Sequence, residues 1–148
     1  MRSTKISYKE GDLFTITTEN GSKFLGLIAR RKGRTKLLFG YFWKFNFSLE
    51  ENQYLKKENS ITYNHFSGLG FEIGSWQLLG KYTHWEREEW GMPEFRRFDD
   101  IRNLYFAVSY NDNFEEIGTR KIAQKDADKL SKDGTHGYIS LERYLETF

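Results

Sequence analysis

Three histidines, His65, His84 and His136, are the side chains of this 148-residue chain best suited to proton transfer or metal binding. No two of them stand at a metal-ligand spacing such as i, i+4. His84 lies beside Glu86, Glu88 and Glu89, a combination that would serve general acid–base chemistry. The run around it, Trp85-Glu86-Arg87-Glu88-Glu89-Trp90, also has the charge density of an ordinary solvated face. No Gly-x-Ser-x-Gly elbow, no G-x-G-x-x-G and no Walker pattern accompanies it. The chain has no cysteine, which excludes disulfides, cysteine nucleophiles and Cys-based zinc sites. The expectation is a protein that is not an enzyme, with no catalytic residue, metal ligand or cofactor site.

Two segments suit binding instead. Arg30, Arg31, Lys32, Arg34 and Lys36 cluster at a hairpin tip, and Phe39, Tyr41, Phe42 and Trp43 follow in the next strand. Cations beside rings on a small barrel can hold single-stranded nucleic acid, phosphates on the charges and bases on the rings. A hairpin tip is equally an ordinary place for solvated Lys and Arg, and the rings are too dense to be all exposed. The second segment is acidic and aromatic: Trp85, Glu86, Glu88, Glu89 and Trp90, with Asp99 further on. Tryptophan anchors rimmed by carboxylates suit a basic protein partner. Against this, Trp90 could be buried on Pro93 and Phe95. Charge is polarised along the chain. Residues 1–47 carry ten Lys and Arg against three Asp and Glu, and residues 48–148 carry thirteen against eighteen.

The elements that must position these side chains read mainly as strands. Residues 13–17 and 23–30 flank Asn20-Gly21, a strong hairpin signal. Arg31-Lys32-Gly33-Arg34 is a second turn, leading to a long strand over 35–47 whose middle is apolar on both faces. Gly26 and Gly40 inside these strands suggest bulges or bends. Ser48-Leu49-Glu50-Glu51 fits a capping box and predicts a helix to about residue 57. Strands are expected over 61–66, 73–82, 104–110 and 115–122, with turns at Gly68-Leu69-Gly70 and Asn111-Asp112-Asn113. Helices are expected over 124–132 and, capped by Ser140, over 141–148. In the last, Leu141, Tyr144, Leu145 and Phe148 form one apolar face that must dock on the sheet.

These patterns predict one domain over residues 1–148: mainly β (α+β), a strongly curved antiparallel sheet or small SH3-like barrel with a C-terminal helix packed on it. Aromatics number 26, too many for a disordered chain. Phe14, Phe39, Tyr41, Trp43, Trp76 and Phe106 are expected in the core, Tyr144 and Phe148 beneath the last helix. The longest apolar run, residues 37–43, is far shorter than the ~20 residues a membrane helix needs, and no signal-peptide stretch follows Met1. A soluble protein of a reducing compartment is expected.

Several segments resemble, in order, the immunity protein 26 family of bacterial polymorphic toxin systems. They are Gly11-Asp12-Leu13-Phe14-Thr15-Ile16, Asn20-Gly21 and Phe24-Leu25-Gly26. Then come Gly74-Ser75-Trp76-Gln77-Leu78-Leu79-Gly80 and Trp90-Gly91-Met92-Pro93-Glu94-Phe95, and finally Gly134-Thr135-His136-Gly137-Tyr138 through Glu142 and Leu145. Thr17 departs from the family pattern, and the residue 30–36 turn is more basic than it requires. The resemblance implies a mainly β cytoplasmic antitoxin that binds a cognate toxin domain, such as a nuclease, without catalysis and without a membrane. The matched glycines and rings read as scaffold, so the partner surface is expected on variable loops; for a toxin that is a basic nuclease it is expected at Trp85, Glu86, Glu88, Glu89, Trp90 and Asp99. The nucleic-acid-binding module on the basic hairpin remains the alternative.

Overall fold

A computed structural model describes residues 7–45 and 54–148. The capping box at Ser48 and most of the helix expected after it lie outside these residues. Within them the chain is mainly β. Six strands form one sheet in the order β10-β4-β3-β2-β1-β5. They are β1 (Asp12–Thr17), β2 (Lys23–Arg31), β3 (Leu37–Lys44), β4 (Thr62–Ser67), β5 (Trp76–Lys81) and β10 (Thr135–His136). A second sheet runs β8-β7-β6-β9, from β6 (Phe95–Asp99), β7 (Leu104–Tyr110), β8 (Glu116–Ile122) and β9 (Ser131–Lys132). Helices are short: α1 (Leu69–Glu72), α2 (Gln124–Ala127) and α3 (Tyr138–Leu145). No helix among the described residues is long and apolar enough to cross a membrane.

Of the two expected forms, a strongly curved sheet or a small barrel, the barrel does not form. β5 and β10 remain the edges of the larger sheet, and both sheets are mixed, because β10 runs parallel to β4 and β9 parallel to β6. The physical reason lies in β2 and β3. Both are buried along nearly their whole length, so each face of the sheet needs cover. One face carries Phe14, Ile16, Phe24, Ile28, Phe42 and Phe66 and is covered by Phe71 of α1 and by Leu141 and Leu145 of α3. The other carries Leu13, Leu25, Leu27, Phe39, Tyr41 and Trp43 and meets Trp90 and Phe95, the latter from the second sheet. Layering does what closure would have done.

Local signals explain the hairpins. Asn20 Oδ1 accepts from Ser22 N at 2.9 Å and from Thr18 Oγ1 at 2.8 Å, which fixes the first turn. Gly40 pairs with Ile28 at a register shift of the β2–β3 pair, whereas Gly26 does not mark a bulge in β2. The register shifts fall at Leu13/Phe14 and between Ile28 and Arg30. Gly26 provides room instead: a Cβ there would lie 2.3 Å from Cζ of Phe14, its partner across the β1–β2 pair. Gly26→Ala should therefore push the Phe14 ring off its site and cost about 1–3 kcal/mol in urea denaturation. Phe14→Leu in the same chain should recover part of that loss, because it removes the clash.

Other expectations shift. Gly68-Leu69-Gly70 leads into α1 rather than remaining a turn, and β5 starts only at Trp76. The helix expected over 124–132 stops at Ala127, and Ser131 joins β9. α3 begins at Tyr138, so Ser140 lies inside it and holds His136 Nδ1 at 2.8 Å rather than capping the helix. Leu141 and Leu145 pin α3, whereas Phe148 is exposed and Tyr144 half-buried. Phe106 is only partly buried. The strand β6 has no counterpart in the sequence pattern.

Candidate functional site

The acidic segment is a single 3-10 turn, Arg87–Trp90, between β5 and β6. Its underside is apolar. Trp90 is buried, edge-on to Tyr41 at 5.3 Å and to Trp43 at 5.8 Å. That corrects its assignment to the partner surface: the indole is a core anchor, and apolar burial there holds the turn to the sheet. Trp85 is half-buried. Its indole lies so close over Gly11 that a Cβ at that position would stand 2.9 Å from Cδ1. Gly11 has a φ of +93°, so backbone and space both require glycine beneath this ring.

A chain of charges clamps the turn from the side. Arg87 Nε donates to Glu10 at 2.8 Å and its Nη1 to Asp112 at 3.1 Å. Arg30 lies beneath them, with Nε on Asp112 at 2.9 Å and Nη2 on the Arg87 carbonyl at 3.2 Å. The Arg30 guanidinium holds the Asp112 carboxyl below the usual carboxylate range. Four stretches remote in sequence, the residue 10 segment before β1, the end of β2, the turn and the β7–β8 loop, thus converge on one network. Nothing in the sequence pairs Arg30 with Asp112. The one signal was that Arg30, the first of the basic cluster, directly follows the apolar run Leu27-Ile28-Ala29.

Glu86, Glu88 and Glu89 are exposed and make no ion pair among the described residues. They stand on a turn anchored by buried Trp90 and by the Arg87–Glu10 pair. Asp99 is used differently. At the end of β6 its Oδ1 accepts from Ile101 N at 3.0 Å and Arg102 N at 3.1 Å, so it caps its own hairpin.

The basic cluster does not assemble as the sequence suggests. Arg30 is buried in the network just described. The Arg31 guanidinium lies 4.3 Å from the Tyr8 ring centroid and donates to the carbonyls of Tyr8, Arg34 and Thr35. Lys36 pairs with Glu72 at 3.0 Å. Among the described residues, Lys32 and Arg34 of this set remain exposed at the tip and make no ion pair. Phe39, Tyr41, Phe42 and Trp43 are all buried, so no ring of this set is free to stack on a base.

The histidines are dispersed. His84 stacks on Tyr54 at 3.7 Å, and its Nε2 has no hydrogen-bond partner among the described residues, so it does not engage Glu86, Glu88 or Glu89 through that atom. His65 is buried among Phe39, Phe95, Tyr110 and Phe114, with Nε2 3.0 Å from Met92 Sδ. His136 stacks on Tyr144. Among the described residues no three His, Asp or Glu side chains converge as a metal site.

A family model described as Immunity protein 26 matches residues 9–107. That stretch runs from before β1 into β7 and includes Gly11, Gly26, Trp76, the Arg87–Trp90 turn and Phe95. No curated protein and no solved structure matches the chain. The matched residues make up well over half of the sequence and carry the scaffold beneath the acidic turn, and the chain belongs to the immunity protein 26 family.

Proposed function

We propose that this protein is a cytoplasmic antitoxin that binds and neutralises a cognate toxin domain without catalysis. Family membership supports the role. The observation that carries the site is the mounting of Glu86, Glu88 and Glu89 on a turn fixed from below by Trp90 and from the side by Arg30 and Arg87. A preformed acidic surface loses little freedom on binding and steers a basic partner toward it. A nuclease, whose own active site must attract phosphates, is the class of toxin this charge suits. Trp85 offers an apolar edge beside the carboxylates.

The test is co-expression with the toxin domain encoded beside this gene, followed by co-purification and measured association. The triple reversal E86K/E88K/E89K should fold normally, since these side chains are exposed and unpaired. It should slow association by about tenfold or more at low salt and flatten its salt dependence. Unchanged affinity and salt dependence would move the interface elsewhere. A chain that neither binds nor protects against that domain would refute the antitoxin role.

A further inference from the structure

The second sheet ends in an open edge. β8 pairs with β7 alone, and no described strand lies on its outer side. Six of its seven residues are exposed, Ile117 by 65%. A strand left in this way offers a row of unpaired N–H and C=O groups to any chain that can add to it. The other edges offer less. β9 and β10 are two residues each, and β5 is interrupted by a register shift against β1 and by Gly80 at a φ of +105°. β8 shifts once, setting Ile117 out of step with β7, and then runs regularly from Gly118 to Ile122. It lies beyond the family-matched residues 9–107 and so does not follow from family membership.

The charges along this edge are ordered. Glu115 and Glu116 stand at its start, Arg120 and Lys121 at its end, and Ile117, Gly118 and Thr119 lie between them. An edge carrying one sign of charge repels a second copy of itself. This one does not when the copy runs antiparallel, because each acidic end then meets the other's basic end. A parallel copy would set like on like. The shift at Ile117 leaves this unchanged, since the order of the charges decides it rather than any one pair. Glu116 and Arg120 already hold Arg97 and Glu94 at 2.7 Å on the exposed surface. Glu115 and Lys121 make no ion pair among the described residues. An antiparallel copy brings both of them an opposite charge.

Gly118 points the same way. Its φ is not in the left-handed region, and a Cβ there would meet nothing within 4 Å. Neither a turn nor crowding within the chain calls for glycine at this position, although glycine weakens a strand. A second backbone drawn up beside it does.

We propose that β8 is a homodimer interface. Two copies of this chain pair these strands antiparallel about a two-fold axis near Gly118, joining their smaller sheets into one continuous sheet. The proposal is independent of the antitoxin reading and stands or falls without the toxin.

Sedimentation velocity of the full chain over a concentration series tests it. The monomer should convert to a species of twice its mass as concentration rises through about 10–100 μM, as suits a small interface. E115K/E116K makes the edge wholly basic, and R120E/K121E makes it wholly acidic. Each alone should stay monomeric up to about 500 μM, a loss of about tenfold or more in dimer affinity. An equal mixture of the two should dimerise again, since the basic edge of one meets the acidic edge of the other. The milder pair E115K and K121E removes no ion pair and repeats the comparison if the double variants melt below the wild type. In the wild type, amide exchange within β8 should slow as concentration rises, while that in β5 stays constant. A wild type that is monomeric at about 500 μM, variants that dimerise as the wild type does, or a mixture that fails to restore the dimer would overturn the proposal.

Discussion

Phe14→Ala should destabilise the fold by about 3–5 kcal/mol, close to the largest loss that truncating one core side chain can produce. Phe14 is fully buried at the centre of the layer beneath α1 and α3. Its ring meets Phe42 and Phe71 edge-on at 6.0 and 4.8 Å, stacks on Trp76 at 5.8 Å, and tilts against Phe66 at 5.8 Å. Alanine would leave a void walled by four rings that are themselves held by both strands and helices, so collapse into it would be partial. Urea denaturation measures the loss. Phe14→Leu should cost much less, because most of the volume stays. A loss below about 1.5 kcal/mol for the alanine variant would mean that the layer repacks freely, contrary to this account. The acidic turn rests on the opposite face of the sheet, through Trp90. The folded fraction of Phe14→Ala should therefore bind toxin with unchanged affinity.

Stability should also fall by about 3 kcal/mol between pH 6.5 and pH 4 through His65. Burial among aromatic rings pushes its pKa down from 6.5 to about 4, with Asp133 opposing the shift. In this window the unfolded chain binds a proton that the folded chain refuses, so protonation favours unfolding. The contribution of the neutral ring is intact above pH 6.5, declines as pH falls, and is lost once pH 4 is passed. Burial also depresses His136, with the same sign. The carboxylates of Glu94, Asp112 and Glu116 are held low by arginines and begin to matter only at the acid end of the window. Denaturation midpoints from pH 7.5 to 4.5 should show the slope, and His65→Leu should remove most of it. A wild-type curve flat across this range would refute the buried neutral histidine.

The sequence made the meander from β1 to β4 and the β7–β8 hairpin legible for one shared reason. Each strand there is a run of β-branched, aromatic or apolar residues and each tight hairpin has its own turn chemistry, Asn20-Gly21 at one and Asn111 at another, where Asn111 Oδ1 accepts from Asn113 N and Glu115 N. β6 offered no such signal. Its sequence Phe95-Arg96-Arg97-Phe98-Asp99 buries one side chain fully and becomes a strand by pairing with β7, Phe95 opposite Val108. β9 and β10 are two residues each and exist only because β6 and β4 present edges to them.

The candidate site divides in the same way. Which residues carry charge, which rings flank them, and that Arg30 to Lys36 and Glu86 to Glu89 are opposite in sign were all present in the chain itself. Which of those charges are free was not. Arg30 meets Asp112 across 82 positions, and that contact turns a candidate phosphate ligand into the clamp of the acidic turn. Trp85 and Trp90 are five residues apart and equivalent in type, yet one lies half-exposed over Gly11 and the other is sealed under Tyr41 and Trp43.

By itself the sequence determined a mainly β chain with two-sided central strands, its C-terminal helix and its family, since these follow from local spacing, turn residues and motif order. Only the tertiary structure decided that the sheet stays open under two covering layers, and which cations are neutralised and which carboxylates remain available. The reason is that burial and ion pairing belong to surfaces brought together from distant parts of the chain, and a residue's local neighbours do not specify what will cover it.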